Sequence, residues 1–384
     1  MKQGWEYKKL GEVCHITMGQ SPDGKSINDN EGVEFHQGKT CFGERTLGVS
    51  ILFSNAPVKL AEAHSVLLCV RAPVGYPNIT NRKICIGRGL CALYAKKDID
   101  NTFLFYSLLG KQSHFEKNAT GSTFKAISSK VISNTEIPLP PKSIQLAIVS
   151  ELDKINELIR LKKEQLKDYD NLAQSIFYEM FGDPVENEKG WEVKELGQLC
   201  EVTSSKRVFI NEVVDAGVPF IRGTELTALN KLVPGEKMHY TLFITQEHYE
   251  RLKAITGVPK VGDLLIPSIN ADGIVWMVDT EEPLYFKDGR VLWIHVNHNH
   301  FNSIAIQKLM NILIKNIYAS MGGATFAELK LFVLRNMKVP IPPQSVQNAF
   351  AEKIKRIDIQ KLQVKKSITD LETLLASRMQ YWFE

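Results

Sequence analysis

Gly19-Gln20-Ser21-Pro22-Asp23-Gly24-Lys25-Ser26 satisfies the formal pattern G-x-x-x-x-G-K-[ST]. In a nucleotide-binding loop, those glycines bring backbone amides to the phosphates and the lysine reaches the β and γ phosphates. Such a loop follows a buried strand and opens a helix, whose N-terminus holds the anion. Glu12 to Thr17 reads as a strand, but Ser26 to Phe35 carries Asn28, Asp29, Asn30 and Gly32 without helical periodicity. The nearest hydrophobic run ending in aspartate, at Asp279, lies far along the chain. These residues argue against phosphate chemistry, although an NTPase using Gly24, Lys25 and Ser26 stays open as an alternative.

Other reactive constellations are weaker. Gly87-Arg88-Gly89 is a lone G-x-G, without the further glycine of a dinucleotide loop. The Asn/Asp-Pro-Pro-aromatic motif used by amino-methyltransferases is missing. Glu192-Val193-Lys194 downstream of Asp183 imitates a nuclease motif, but it recurs as Glu6-Tyr7-Lys8 at an equivalent place, as expected of an exposed strand with paired charges. His295, His298 and His300 are metal-capable, yet no cysteine or carboxylate completes a ligand set. Cys14, Cys41, Cys69, Cys85, Cys91 and Cys200 form no C-x-x-C pair and read as reduced thiols. We therefore expect no catalytic residues, no metal and no cofactor.

What the chain offers instead is polar and basic residues of the types that read DNA. Gln20, Gln37 and Asn270 match adenine; Lys39, Arg71, Arg88, Lys206, Arg207 and Arg222 match guanine or phosphate. The whole chain has 384 residues, 44% hydrophobic and 23% charged, with a net charge of +4. That balance permits nucleic-acid binding through local patches. No run reaches the ~18 apolar residues of a membrane span, and the first residues lack the apolar core of a signal peptide. A cytoplasmic protein is expected.

The elements that position these residues are written twice. Gly4–Thr17 and Gly190–Thr203 share eight of fourteen residues at an offset of 186. Thr120–Gln145 and Gly322–Gln347 correspond at an offset of 202, with Ile-Pro-Leu-Pro-Pro answering Val-Pro-Ile-Pro-Pro. Between these anchors the halves share little. After each Pro-Pro comes a long segment free of Gly and Pro, and Ser143 and Ser345 are the expected N-caps. Ile148, Leu152, Ile155, Ile159, Lys162, Leu166, Tyr169, Ala173, Ile176 and Met180 step by four and three. Phe350, Ile354, Ile357, Lys361, Val364, Ile368, Leu371, Leu375, Arg378 and Trp382 repeat that register. This is the a/d seam of a coiled coil. Gly182-Asp183-Pro184 stops the first helix.

The expected fold is α+β: two α/β units separated by two long antiparallel helices forming a coiled coil, with a pseudo-two-fold internal repeat. The expected segments are 1–142, 143–181, 182–344 and 345–384. Two divergent units on a rigid spacer suit two different short words on one duplex. A coiled-coil scaffold without a DNA role shares the helices but leaves the divergent units unexplained.

The paired starts at Gly4 and Gly190, the Gly-[Ser/Ala]-Thr-Phe turns at Gly121 and Gly323, and the Pro-Pro entries into long helices resemble the specificity (S) subunit of type I restriction–modification systems. The resemblance implies two target-recognition domains, each reading half of a bipartite, asymmetric site in double-stranded DNA. It implies helices that set the gap and dock two methylation (M) subunits, with Ile148, Leu152, Ile155, Leu166, Ile354, Ile357, Ile368 and Leu371 as the coiled-coil and partner interface. Restriction (R) subunits join in systems that cleave. It adds Ser21, Lys25, Thr123, Thr224 and Thr325 to the DNA-facing set, and makes the Gly19–Ser26 loop a DNA-facing loop.

Overall fold

The computed structural model describes residues 5–121, 125–230, 232, 238–320 and 328–383. The chain divides into two compact units, Met1–Leu161 with Ile368–Glu384, and Lys162–Ser367.

In the first unit a short frame strand, Glu6–Lys9, runs antiparallel to Glu136–Leu139. The main sheet has four antiparallel strands in the order Cys14–Met18, Leu90–Ala95, Val66–Cys69, Pro77–Ile79. Val66 to Cys69 is apolar throughout and buried throughout, as a central strand covered on both faces must be. A second sheet, of five short strands, contributes Val33–His36 running parallel to Ile84–Ile86.

The second unit repeats this plan. Glu192–Glu195 pairs with Lys338–Ile341. The main sheet runs Glu201–Ser204, Val291–His295, Leu264–Pro267, Trp276–Met277. Val218–Ile221 runs parallel to Tyr285–Phe286. The middles that share almost no residues therefore share the strand order of the main sheet and the sense of the parallel pair, although the second sheet has five strands in the first unit and three in the second. Glu192 and Lys194 pair with each other at 2.8 Å on the frame strand, as do Glu6 and Lys8 at 3.3 Å. The cysteines are free thiols, and burial pushes Cys14 and Cys91 up to about 12. Among the described residues no helix is long and apolar enough to cross a membrane, and no group of three or more potential ligands could hold a metal ion.

Two helices of 40 residues each, Lys142–Phe181 and Gln344–Phe383, complete the fold. Pro141 and Pro343, not Ser143 and Ser345, occupy the N-cap place: the Pro141 carbonyl accepts from the amides of Ile144 and Gln145 at 2.8 and 3.0 Å. A prolyl residue fits there because its missing N–H would have no helical partner. The real lock is one residue type deeper. Gln145 is 0% exposed and Gln347 1% exposed. The Gln145 amide donates to the carbonyls of Asp98 and Pro140 and accepts from the Asp100 amide. Gln347 does the same to His300, Pro342 and Asn302. Asp100 and Asn302 in turn cap the helices Asn101–Leu109 and Ser303–Ser320.

Within each unit the two helices lie side by side. In the first, Glu151 binds Arg378 and accepts from the Trp382 indole at 3.1 Å. In the second, Asp170 accepts from Lys361 and Phe350 packs on Phe177 and Phe181. Residue numbers rise along one helix as they fall along the other, so the pair is antiparallel. Every seam residue is buried or half-buried, including Ile148, Leu152, Ile155, Ile354, Ile357 and Ile368 in the buried class and Leu166 and Leu371 in the intermediate one. Phe177, Phe181 and Phe383 lie off the seam, yet they are buried in the cores of the units where those helices end.

Phe383→Ala should cost about 3–5 kcal/mol by opening a cavity, and Gln145→Ala about 1–3 kcal/mol by orphaning buried backbone groups. Hydrogen exchange followed by mass spectrometry should show both losses in Val66–Cys69 and Leu90–Ala95, with Leu264–Pro267 and Val291–His295 unaffected.

Candidate nucleic-acid interface

Strand register brings the loops together. Met18 ends its strand opposite Cys91, and Cys69 ends its strand opposite Leu90. His36 ends opposite Ile86 in the parallel pair, and the Gly87 amide donates to the His36 carbonyl at 2.8 Å. The segments after Met18, His36, Cys69 and Ile86 therefore emerge together along one edge of the unit, from strand ends of two sheets. In the second unit Ser204 ends opposite Leu292, Pro267 opposite Val291, and Ile221 opposite Phe286, with the Lys287 amide on the Ile221 carbonyl at 2.9 Å. The segments after Ser204, Ile221, Pro267 and Phe286 gather in the same way.

Close packing fixes the first cluster. The Gly19 and Gln20 amides donate to the carbonyls of Leu90 and Ile86 at 2.9 and 3.0 Å. A Cβ on Gly19 would lie 2.1 Å from the Gly87 carbonyl oxygen, so only glycine permits this approach. The Arg88 amide reaches Ser21 Oγ at 3.5 Å. Lys39 sits over the Tyr76 ring at 4.5 Å. Gln20, Gln37, Lys39, Arg71 and Arg88 are exposed and Ser21 is half-buried. Among the described residues no carboxylate pairs with Lys25, Lys39, Arg71 or Arg88.

Behind this edge lies a buried charged network. His36 hydrogen-bonds Glu34 at 2.9 Å, and Arg82 holds both Glu34 oxygens at 2.5 and 2.6 Å. Burial pushes the Glu34 carboxyl up, but Arg82, the Ser50 amide and His36 outweigh it and bring it down to about 2. Burial also lowers the pKa of His36.

The Gly19–Ser26 loop is no nucleotide cradle. Gly24–Ser26 is a three-residue 3-10 turn that leads into the strand Ile27–Asn28. Asp23 accepts from the Lys25 amide at 2.8 Å, and Ser26 Oγ donates to the Asp23 carbonyl at 2.7 Å. The amide and hydroxyl that would meet phosphate and magnesium already have partners.

A family profile described as "Type I restriction modification DNA specificity domain" matches residues 2–168 and again 188–373. The chain belongs to this family, in two copies of the domain. It is 24% identical over 388 residues to the type I restriction enzyme MjaIX specificity subunit of Methanocaldococcus jannaschii, covering 90% of this chain and 85% of that one. It is 39% identical over 178 residues to the putative MjaX specificity subunit of the same organism; that match spans 45% of this chain and less than half, 42%, of the relative. The fold is similar to a crystal structure of a type I restriction–modification S subunit from M. genitalium, with a TM-score of 0.55 and 17% identity, covering 100% of this chain and 98% of that one.

Within this specificity-domain family fold, the second cluster differs in chemistry from the first. Lys206 and Arg207 are exposed after Ser204, and Arg207 Nε donates to Asp288 at 3.1 Å. Arg222 grips Glu225 through Nε and Nη2 at 3.1 and 2.7 Å, and Thr224 Oγ1 donates to the same carboxylate. Burial raises the Glu225 pKa, yet these hydrogen bonds prevail and hold it at about 2. Asn270 does not reach the surface, contrary to its assignment as an adenine reader. It is 3% exposed, and its amide closes the turn to Ile274, donating at 2.7 Å and accepting at 2.6 Å. Thr123 and Thr325, with Gly323, lie outside the described residues. Arg290, which the sequence pattern did not flag, stands at the edge and pairs with Glu328 at 3.4 Å.

The Glu34 network carries a pH signature. Its depressed pKa contributes stability that is present in full above 4.5 and is lost as pH falls toward about 2. Arg82→Ala removes the strongest restraint, so the acid-unfolding midpoint of the first unit should rise toward 4.5. An acid titration read by hydrogen exchange in Val33–His36 checks this.

Proposed function

We propose that this chain is the DNA-recognition subunit of a type I restriction–modification complex and catalyses no reaction itself. Residues 1–142 and 182–344 are its two readers, and each recognises one half of a bipartite site in double-stranded DNA. Residues 143–181 and 345–384 are the spacer helices that set the unread gap and dock two methylation subunits. Those subunits supply S-adenosylmethionine and the adenine methyltransferase site; restriction subunits add cleavage in the cytoplasm. The observation that carries this reading is the matched edge. Two scaffolds with the same strand order hold loops of unrelated sequence in the same place. That is the arrangement required of two readers with one plan and two vocabularies.

The chemistry of the edges fits this division of labour. Lys25, Lys39, Arg71 and Arg88, whose side chains pair with no carboxylate among the described residues, suit the phosphate backbone and guanine. Arg207 and Arg222, each held by a carboxylate, are oriented at lower cost in side-chain entropy.

Methylome sequencing of cells that express this chain with its methyltransferase partner tests the function directly. A bipartite motif is expected. Replacing residues 15–120 by the equivalent segment of a relative should change one half of that motif and leave the other intact. Change in both halves would refute independent readers. Lys25→Ala should lower the slope of log affinity against log salt by about one unit, the signature of one lost phosphate contact. ATP binding that Lys25→Ala abolishes would refute the whole reading.

The spacer yields a separate expectation. One heptad inserted within 158–172 and another within 359–373 keeps the seam in register and adds ~10 Å at ~1.5 Å per residue. The preferred gap should lengthen by one to about three base pairs, at ~3.4 Å each, or tight binding should be lost. Methylation across a library of sites that differ only in gap length reads the result; an unchanged preference excludes the helices as the ruler.

A further inference from the structure

The two edges can be superposed hydrogen bond by hydrogen bond. In the first unit the Val70 amide donates to the Gly89 carbonyl at 2.9 Å, and the Ile127 amide to the Val70 carbonyl at 3.0 Å. In the second the Ser268 amide donates to the Arg290 carbonyl at 2.9 Å, and the Leu329 amide to the Ser268 carbonyl at 2.6 Å. Val70 thus corresponds to Ser268, Gly89 to Arg290, and the residues before Ile127 and Leu329, Ala126 and Glu328, to each other. Arg71 corresponds to Ile269.

Each unit therefore has one arginine at this corner, reached from a different strand end. In the first unit the corner after Val66–Cys69 carries Arg71, and the facing position is Gly89. No side chain fits at Gly89, because its Cβ would lie 2.2 Å from the Gln37 carbonyl oxygen. In the second unit the corner carries Ile269, 44% exposed, and the facing position carries Arg290. The Arg290 side chain is 53% exposed. Glu328 accepts from Arg290 Nη1 at 3.4 Å and from Ser268 Oγ at 3.3 Å, so the carboxylate is itself tethered to the strand end. The first unit has Ala126 there and needs no such brace. Among the described residues, Nε and Nη2 of Arg290 have no other partner. They form an oriented pair of donors at a sheet edge, the geometry that matches O6 and N7 of guanine.

We infer that Arg290 is the guanine-reading residue of the second unit, that Glu328 is its positioning residue, and that Arg71 performs the same task in the first unit. This rests on the DNA-reading function proposed above and assigns it to one side chain per half-site. The alternation explains why the second unit tolerates isoleucine where the first has arginine. The guanidinium has moved across the strand pair, from the corner to the facing position.

The test uses the complete complex with its methyltransferase partner. The wild-type motif is mapped by methylome sequencing, and Arg290→Ala, Arg290→Lys, Arg71→Ala and Glu328→Gln are then mapped in the same way. Arg290→Ala should relax guanine preference at one base pair of one half-site by on the order of ten- to a hundred-fold. Arg290→Lys should not restore it, since an ammonium cannot donate in a fork. Arg71→Ala should relax one base pair in the other half-site. Glu328→Gln should weaken the same base preference as Arg290→Ala, to a smaller extent. Thermal unfolding of each variant should match the wild type, because both arginines are at the surface. A uniform loss of methylation with every base preference intact would make Arg290 a phosphate contact and overturn the inference, leaving the DNA-reading function standing. A wild-type complex that methylates no defined motif would overturn that function, and the inference with it.

Discussion

A glutamine amide buried beneath the first turn of each long helix fixes how that helix joins its own unit. Gln145 and Gln347 have no contact with solvent to speak of, so every hydrogen bond they make must be satisfied by the protein. Each ties three things: the carbonyl two residues before a proline-led helix start, the loop carbonyl near a second helix, and the amide of that second helix's own cap. The helix cannot tilt without breaking all three. A side chain that bonds to both partners fixes the direction of a helix start better than apolar contact alone. Apolar packing then holds the far ends. Phe181 and Phe383 are buried at equivalent helix positions, each in the core of the unit where its helix terminates. The seam between the helices needs only to keep them side by side.

The same economy operates where the loops of each unit emerge. Backbone hydrogen bonds, not side chains, define where the loops emerge. The Gly87–His36 and Lys287–Ile221 bonds, and the Val70–Gly89 and Ser268–Arg290 bonds, recur in both units although none of those residue pairs is conserved between them. A scaffold fixed by main-chain groups leaves side chains free to diverge. In the function proposed above, loop chemistry can then change without refolding, because the amide and carbonyl are present whatever the side chain is.

This also explains what the sequence revealed and what it hid. The long helices, their shared register and the frame strands were legible because they depend on side-chain periodicity and on proline, which leave a pattern in residue types. Gln145 and Gln347 stood in plain sight in the repeated Pro-Pro-x-Ser-x-Gln stretch, and only burial shows why. The common topology of the middles was illegible because main-chain pairing has no residue signature. Asn270 was misread because an amide that completes its own turn looks, in sequence, like one that faces a base. Phe177, Phe181 and Phe383 were missed because they point off the seam into the globular cores; the equivalence of Phe181 and Phe383 at the offset of 202 was the available clue. Arg290 was hidden because the chain between the parallel strand and the sheet is one residue longer in the second unit than in the first.

The two edges differ in how they hold their charge, and that difference has an energetic consequence. Lysines and arginines without carboxylate partners gain their full Coulomb energy on meeting a phosphate, and release counterions when they do. Arg207, Arg222 and Arg290 already interact with Asp288, Glu225 and Glu328. In the function proposed above, their net gain on meeting a phosphate would be smaller, because each must give up part of its interaction with a carboxylate. What the braced arginine gains is orientation: fewer rotamers to freeze, and a donor fork that is in place before contact.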